Sequence, residues 1–107
     1  MVKSVEKGKV GERELAHFLT ERGFPARRGQ QHAGGADSPD IICDGLEDIH
    51  WEAKRVERGS LEDWLAQAIR DAAGRKVPVV AHRKNRGQWV AILPLEDFLK
   101  ILQQRVW

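Results

Sequence analysis

Three stretches of the chain have apolar residues at helical spacing among charged neighbours. The first runs from Ser4 to Arg22 and stops at Gly23, a residue type that often ends helices. The second begins at the capping sequence Ser60-Leu61-Glu62-Asp63 and ends at Gly74. Its predicted apolar stripe consists of Leu61, Trp64, Leu65, Ala68, Ile69 and Ala72. The third follows Pro94, and its predicted buried side consists of Leu95, Phe98, Leu99 and Leu102.

Five β-prone runs lie between these helices. They are Phe24 to Arg28, Ile41 to Cys43, Ile49 to Lys54, Val77 to His82 and Gln88 to Leu93. The second and third predict an antiparallel hairpin around Asp44-Gly45, while the fourth is apolar on both faces and is expected to pair with the fifth. The polar segment Gly29 to Ser38 shows neither helical nor strand periodicity and is predicted to be a loop. The order α-β-β-β-α-β-β-α predicts an α/β fold, with a single mixed β-sheet flanked by helices.

Length and composition narrow the class of protein. A chain of 107 residues predicts a single domain, 1–107, and 41% hydrophobic with 32% charged residues suits a globular fold. Cys43 has no second cysteine to pair with, which indicates a reducing compartment. No apolar run is long enough for a membrane span, and the N-terminus lacks the apolar region of a secretory signal. We therefore expect a cytoplasmic protein without a membrane partner.

Basic residues are concentrated in a few places although the net charge is only +2. The clusters are Lys3, Lys7, Lys9 and Arg13 in the first helix, Arg27 and Arg28 after it, and Lys54, Arg55 and Arg58 in the central segment. Such an uneven field favours a polyanionic partner such as nucleic acid. The candidate DNA-binding residues are Lys9, Arg13, Arg27, Arg28 and Arg55. The basic tip Arg83-Lys84-Asn85-Arg86 fits a phosphate clamp and a solvated turn equally well.

A group of charged residues surrounds the predicted hairpin. Pro39-Asp40 is followed, after eleven residues, by Glu52-Ala53-Lys54. Because side chains alternate along a strand, Glu52 and Lys54 share one face. Asp40, at the head of the neighbouring strand, would bring a second carboxylate beside Glu52. Two carboxylates and a backbone carbonyl are oxygen ligands that suit Mg²⁺, or Mn²⁺ as a substitute, and no organic cofactor is expected.

These residue types fit phosphodiester hydrolysis. The reaction needs a nucleophilic water and neutralisation of the charge that develops on the phosphate, and a divalent ion can provide both. Lys54 can hold the attacking water or stabilise the transition state. Glu12 on the first helix could reach the metal or its water shell, whereas Glu14 lies about 200° further round the helix and cannot face the same site. The predicted metal ligands are Asp40, Glu52 and Glu12.

Four motifs resemble those of one known family. They are Gly8-Lys9-Val10-Gly11-Glu12-Arg13-Glu14-Leu15, Gly23-Phe24-Pro25-Ala26-Arg27-Arg28, Pro39-Asp40-Ile41-Ile42 and Trp51-Glu52-Ala53-Lys54. Together they are similar to the archaeal-type Holliday junction resolvases, in versions carried by phages, within the PD-(D/E)XK nuclease superfamily. The resemblance covers most of the chain.

That resemblance implies a restriction-endonuclease-like fold and a homodimer whose two sites nick opposing strands of a four-way DNA junction. It implies a set of catalytic and DNA-contacting residues, namely the acids Glu12, Asp40 and Glu52, the lysine Lys54, and the arginines Arg13 and Arg28. An enzyme of this kind carried by a phage would act in the host cytoplasm. Recombination, repair and phage DNA processing all stay open as its biological process.

Several of these residues also have an explanation that needs no catalytic role. Asp40 could merely cap a turn, and the Glu-x-Lys pair could be an exposed ion pair of little energetic value. Asp37 is a poorer rival of Asp40, Ser38 is a candidate for the family's catalytic serine, and Gln67 is either an auxiliary site residue or a solvated one. The alternative functions are a nuclease for linear or flapped duplex DNA and a DNA-binding module without catalysis.

The four histidines show no metal-ligand spacing. They are His17, His32, His50 and His82. With a single cysteine in the chain, this pattern argues against a zinc site. We expect all four to be surface or partly buried residues.

Overall fold

Three helices and five strands follow one another in the computed structural model, which describes residues 4–29 and 39–104, with side chains from residue 8 onward. The elements are α1 (Ser4–Glu21), β1 (Ala26–Arg28), β2 (Ile41–Cys43), β3 (Ile49–Lys54), α2 (Leu61–Ala72), β4 (Val77–His82), β5 (Val90–Ile92) and α3 (Leu95–Gln103). The predicted order of elements is confirmed. Asp37, Ser38 and nearly all of the predicted loop 29–38 lie outside the described residues.

Two strands are shorter than the sequence predicts. β1 begins at Ala26 rather than Phe24. The Phe24 backbone N–H donates to the Leu19 carbonyl at the end of α1 (3.0 Å), and Pro25 has no N–H to donate, so neither residue can donate to a neighbouring strand. β5 covers 90–92 rather than 88–93, since its partner β4 ends at His82, which pairs with Val90. β2, β3 and β4 have the predicted bounds.

The five strands form one mixed sheet in the order β1-β2-β3-β4-β5. β2 and β3 are antiparallel, as the predicted hairpin requires, and β4 and β5 are antiparallel as well. β3 and β4 are parallel, with Glu52 beside Val80 and Lys54 beside His82, and α2 makes the crossover between them. This architecture is compatible with a restriction-endonuclease-like fold.

The two faces of the sheet are covered by different helices. α1 packs Leu15 and Leu19 against a core that includes Ile41, Trp51 and Val79. Because neighbours along a strand point to opposite faces, Glu52 and Val80 face the other side, where α2 packs on β3 and β4. β4 is buried on both faces, as predicted. The central strand, β3, therefore presents an apolar face to α1 and a charged face to α2.

Helix α2 begins at the predicted cap. The Ser60 side-chain oxygen accepts a hydrogen bond from the Asp63 backbone N–H at 3.2 Å. The helix ends at Ala72, and the following cap residue, Ala73, has a left-handed conformation with φ of 54°. The predicted apolar stripe is only partly buried, because Leu61 and Ile69 are 48% and 47% exposed.

The predicted buried side of α3 is wrong. Leu95, Phe98 and Leu99 are 68%, 43% and 49% exposed, and no described residue of this helix is buried. α3 follows the edge strand β5, and within the described part of the chain its apolar face is left largely exposed. Helical periodicity shows that a helix has an apolar face but does not show what covers that face. None of the helices in the described part of the chain has the length and apolar character needed to cross a membrane.

Candidate active site

Hydrogen bonds of both its backbone and its carboxylate fix Asp40 at the start of β2. Its backbone N–H donates to the Trp51 carbonyl (2.9 Å), and its own carbonyl accepts from the Gly29 N–H (2.8 Å). Its Oδ2 accepts from the Ala53 N–H at 2.8 Å. Trp51 and Ala53 are the residues on either side of Glu52, so Asp40 lies alongside Glu52 in the plane of the sheet. The carboxylate takes the place of a backbone carbonyl where the β2–β3 ladder stops.

Strand β3 directs His50, Glu52 and Lys54 to the face covered by α2, because these residues alternate along the strand. Lys54 Nζ donates to Gln67 Oε1 of α2 at 3.4 Å. Gln67 is half-buried, so it is not fully solvated, and its auxiliary role stays a prediction. Glu52 is 4% exposed, which rules out the simple exposed ion pair that the sequence left open.

His50 is a site residue that sequence reasoning missed. It is 1% exposed, and its Nε2 lies 3.0 Å from Glu52 Oε1. Asp71 of α2 joins them: possible ligand atoms of His50, Glu52 and Asp71 lie within 4.8 Å of one another, and among the described residues this is the group that could hold a metal ion. The expectation of a surface or partly buried residue is wrong for His50 and also for His82, which is 8% exposed. The sequence contained one signal, the alternation His50-x-Glu52 on a predicted strand.

Glu12 approaches the site from the other side of the sheet. Its Oε1 accepts a hydrogen bond from Arg28 Nε at 2.9 Å, and its side chain is 15% exposed. Burial raises the pKa of Glu12, and the nearby negative charge of Asp40 raises it further, while Arg28 and Lys9 lower it. Asp40 and Glu12 are thus electrostatic neighbours, although neither belongs to the compact group of His50, Glu52 and Asp71.

Comparison with known proteins agrees with this geometry. The sequence model of a family described as phage putative PDDEXK endonuclease matches residues 3–106. The chain belongs to this family. No curated protein and no solved structure matches the chain. The family supports a nuclease that acts on DNA.

Besides Arg28, the predicted DNA-binding residues are of two kinds, exposed ones and one that is held by an acid. Lys9, Arg13 and Arg27 are exposed, and Arg27 contacts Asp44 at 3.4 Å. Arg55 is the residue held by an acid, and it forms a second group with Arg83 of the predicted basic tip. Arg55 Nε and Arg83 Nη1 both donate to Glu14 Oε1, at 3.0 and 2.9 Å. Glu14 points away from Glu12, as its place on the helix predicts.

Close packing of α1 brings this second group together. A Cβ atom built on Gly11 would lie 2.5 Å from Arg55 Cβ, a distance that real Cβ atoms essentially never show. Only glycine therefore lets α1 approach the residue that follows β3. This approach fixes the position of Glu12, the next residue along the helix.

The donor set fits the divalent cation that PD-(D/E)XK nucleases typically use. Asp40 and Glu52 are buried carboxylates at the same point of the hairpin, and hard oxygen donors of this kind suit Mg²⁺ or Mn²⁺. Burying a carboxylate is costly unless it is hydrogen-bonded, paired with a positive charge or bound to a metal. Asp40 accepts a hydrogen bond from the Ala53 N–H and Glu52 lies beside His50, and a bound cation would supply positive charge to both carboxylates.

Proposed function

We propose that this PDDEXK endonuclease cuts branched DNA, specifically four-way junctions, by hydrolysis that depends on Mg²⁺. The observation that supports the proposal is the placement of Asp40, whose hydrogen bonds flank Glu52, with Lys54 on the same strand face as Glu52. Two buried carboxylates and an ammonium group are the side chains that metal-assisted phosphodiester cleavage needs.

Each residue has a distinct role in this proposal. Asp40 and Glu52, with Glu12, would hold the ion, which would supply Lewis acidity and a lowered pKa of water. Lys54 is held by Gln67, so its ammonium group is oriented to hold the attacking water or to offset charge on the phosphate. Arg28 holds the Glu12 carboxylate in place.

Phosphate contacts are assigned to the basic residues that the sequence singled out. Lys9, Arg13 and Arg27 are exposed and reach solvent freely. Arg28 and Arg55 are already oriented by Glu12 and Glu14, so they need less ordering when DNA binds. Contacts of this kind fix the position of DNA without reading its sequence.

A homodimer follows from the proposed substrate. Resolution of a four-way junction requires two nicks, and the constellation described above occurs once among residues 4–29 and 39–104, so a second copy would supply the second site. The exposed apolar face of α3, formed by Leu95, Phe98 and Leu99, offers a surface that a partner copy would cover. The resemblance to junction resolvases supports the same assembly.

The test uses a synthetic four-way junction with and without Mg²⁺. We expect symmetric nicking that requires Mg²⁺ and is lost in Asp40→Asn and Glu52→Gln. Asp48→Asn is the matched control, because Asp48 is an exposed carboxylate just before β3 and has no role in the site. Undiminished cutting by the first two variants would refute the assignment.

Competition between substrates distinguishes the remaining functions. If linear or flapped duplex competes as well as the junction, the site stands but the substrate is a different DNA. If no DNA is cut and calorimetry detects no Mn²⁺ binding, the chain is a DNA-binding module. Lys54→Ala should keep junction binding while losing cleavage.

A further inference from the structure

A second cluster of possible ligands lies on the α2 side of β3. We propose that His50, Glu52 and Asp71 bind a second cation, one that accepts nitrogen as well as oxygen ligands, such as Mn²⁺, Co²⁺ or Zn²⁺. The inference rests on the proposed function only in that Glu52 is shared between the two sites. His50 and Asp71 belong to no motif that the sequence assigns to catalysis.

The distances within the cluster suit direct coordination. Two ligands about 2.1 Å from an ion and at right angles to each other are about 3.0 Å apart. His50 Nε2 and Glu52 Oε1 are separated by 3.0 Å. The carboxylate of Asp71 completes a group whose possible ligand atoms lie within 4.8 Å of one another, and on binding an ion it would move closer to become the third ligand.

The position of Asp71 explains how a buried pair could reach an ion. His50 and Glu52 are 1% and 4% exposed, whereas Asp71 is half-buried and lies on the helix that covers them. Asp71 follows Gln67 by about one helical turn, and Gln67 contacts Lys54. One face of α2 therefore supplies both the partner of Lys54 and the third ligand.

The imidazole group determines which metal the cluster prefers. Mg²⁺ binds oxygen ligands and loses its water reluctantly, whereas imidazole suits zinc, copper, iron and nickel, and affinity for nitrogen sites rises from Mn²⁺ through Co²⁺. Mg²⁺ would therefore occupy the Asp40 side of Glu52 and leave the His50 side to a transition metal. The competing explanation is that His50 only hydrogen-bonds Glu52 and orients it.

Electron spin-echo spectroscopy of Mn²⁺ bound to the full chain separates these explanations, because a directly bound imidazole adds nitrogen modulation to the signal. We expect ¹⁴N modulation in the wild-type protein and its replacement by a ¹⁵N pattern after labelling with ¹⁵N-histidine. His50→Gln should abolish it, and Asp71→Asn should weaken Mn²⁺ binding at this site about tenfold or more. His17→Gln is the control, since His17 pairs with Glu21 on an exposed part of α1.

The outcomes separate this inference from the proposed function. Mn²⁺ binding that depends on Asp40 but shows no nitrogen modulation overturns the second site and leaves the endonuclease assignment intact. Modulation that disappears in His17→Gln, or persists in His50→Gln, also overturns it. Absence of any Mn²⁺ binding overturns both. The wild-type labelling experiment needs no variant, so it decides the question even if His50→Gln fails to fold.

Discussion

Replacing Gly11 with alanine tests the packing that positions the proposed site. The new Cβ would lie 2.5 Å from Arg55 Cβ. Carbon atoms pack best at about 3.5–4.0 Å, so α1 and the end of β3 must separate by about 1 Å or more. In the same helix, Gly8 has no atom within 4 Å of the equivalent Cβ position, which makes Gly8→Ala a matched control.

The expected magnitudes follow from two opposing effects. Alanine in a helix is about 1 kcal/mol more favourable than glycine, so Gly8→Ala should raise the free energy of unfolding by about that amount. Overpacking costs about 1–3 kcal/mol. Because the higher helix propensity of alanine offsets about 1 kcal/mol of this cost, Gly11→Ala should lower the free energy of unfolding by up to about 2 kcal/mol. The difference between the two variants, about 1–3 kcal/mol, isolates the cost of the contact.

Urea denaturation followed by circular dichroism measures both variants under the same conditions. Equal stabilisation by the two substitutions would refute the close approach of α1 to Arg55. In the proposed endonuclease, displacement of Glu12 by about 1 Å should also lower junction cleavage on the order of a hundredfold in Gly11→Ala. Gly8→Ala should leave the cleavage rate unchanged.

Three further measurements test separate parts of the structure. Arg28→Gln should raise the pKa of Glu12 further, since it removes the hydrogen bond and the positive charge that lower this pKa. A lower pKa of Glu12 in the variant, measured by carbonyl-detected NMR titration, would contradict this. The already raised pKa means that the Glu12 contribution to stability decreases as pH rises from the usual glutamate pKa through the folded value, because the folded state holds the proton more tightly. Ser60→Ala should cost about 1 kcal/mol in urea denaturation through loss of the α2 cap, and unchanged stability would show that the cap contributes nothing. Leu99→Lys should convert the proposed dimer to monomer by light scattering, and a persistent dimer would remove α3 from the interface.

Local patterns predicted the elements because the signals lie within each element. The bounds of β3 and β4 follow from runs of β-prone residues between turn residues, and the start of α2 follows from Ser60 and its contact with Asp63. The exposed face of α3 could not be predicted in this way. Burial of that face depends on how α3 packs on the rest of the fold and on any partner chain. Helical periodicity describes neither.

In the candidate site too, local patterns predicted some residues and could not predict others. The placement of Glu52 and Lys54 on one strand face follows from alternation, and the proximity of Asp40 follows from a hairpin. Asp71 could not be found, because its approach to His50 depends on how α2 lies across β3. That alignment is set by packing between residues far apart in the sequence, which no local pattern describes.

Helix α1 connects the acidic and basic parts of the protein through residues that follow one another along it. Gly11 permits the close approach, Glu12 reaches Arg28 and Glu14 binds Arg55 and Arg83. Partly exposed ion pairs of this kind add little stability, so their effect lies in geometry. Each guanidinium has five N–H donors, and Glu14 engages one from each arginine, which leaves others for phosphate. The carboxylate therefore orients the two arginines without saturating them, and in the proposed endonuclease a shift of α1 should disturb the proposed metal and phosphate contacts together.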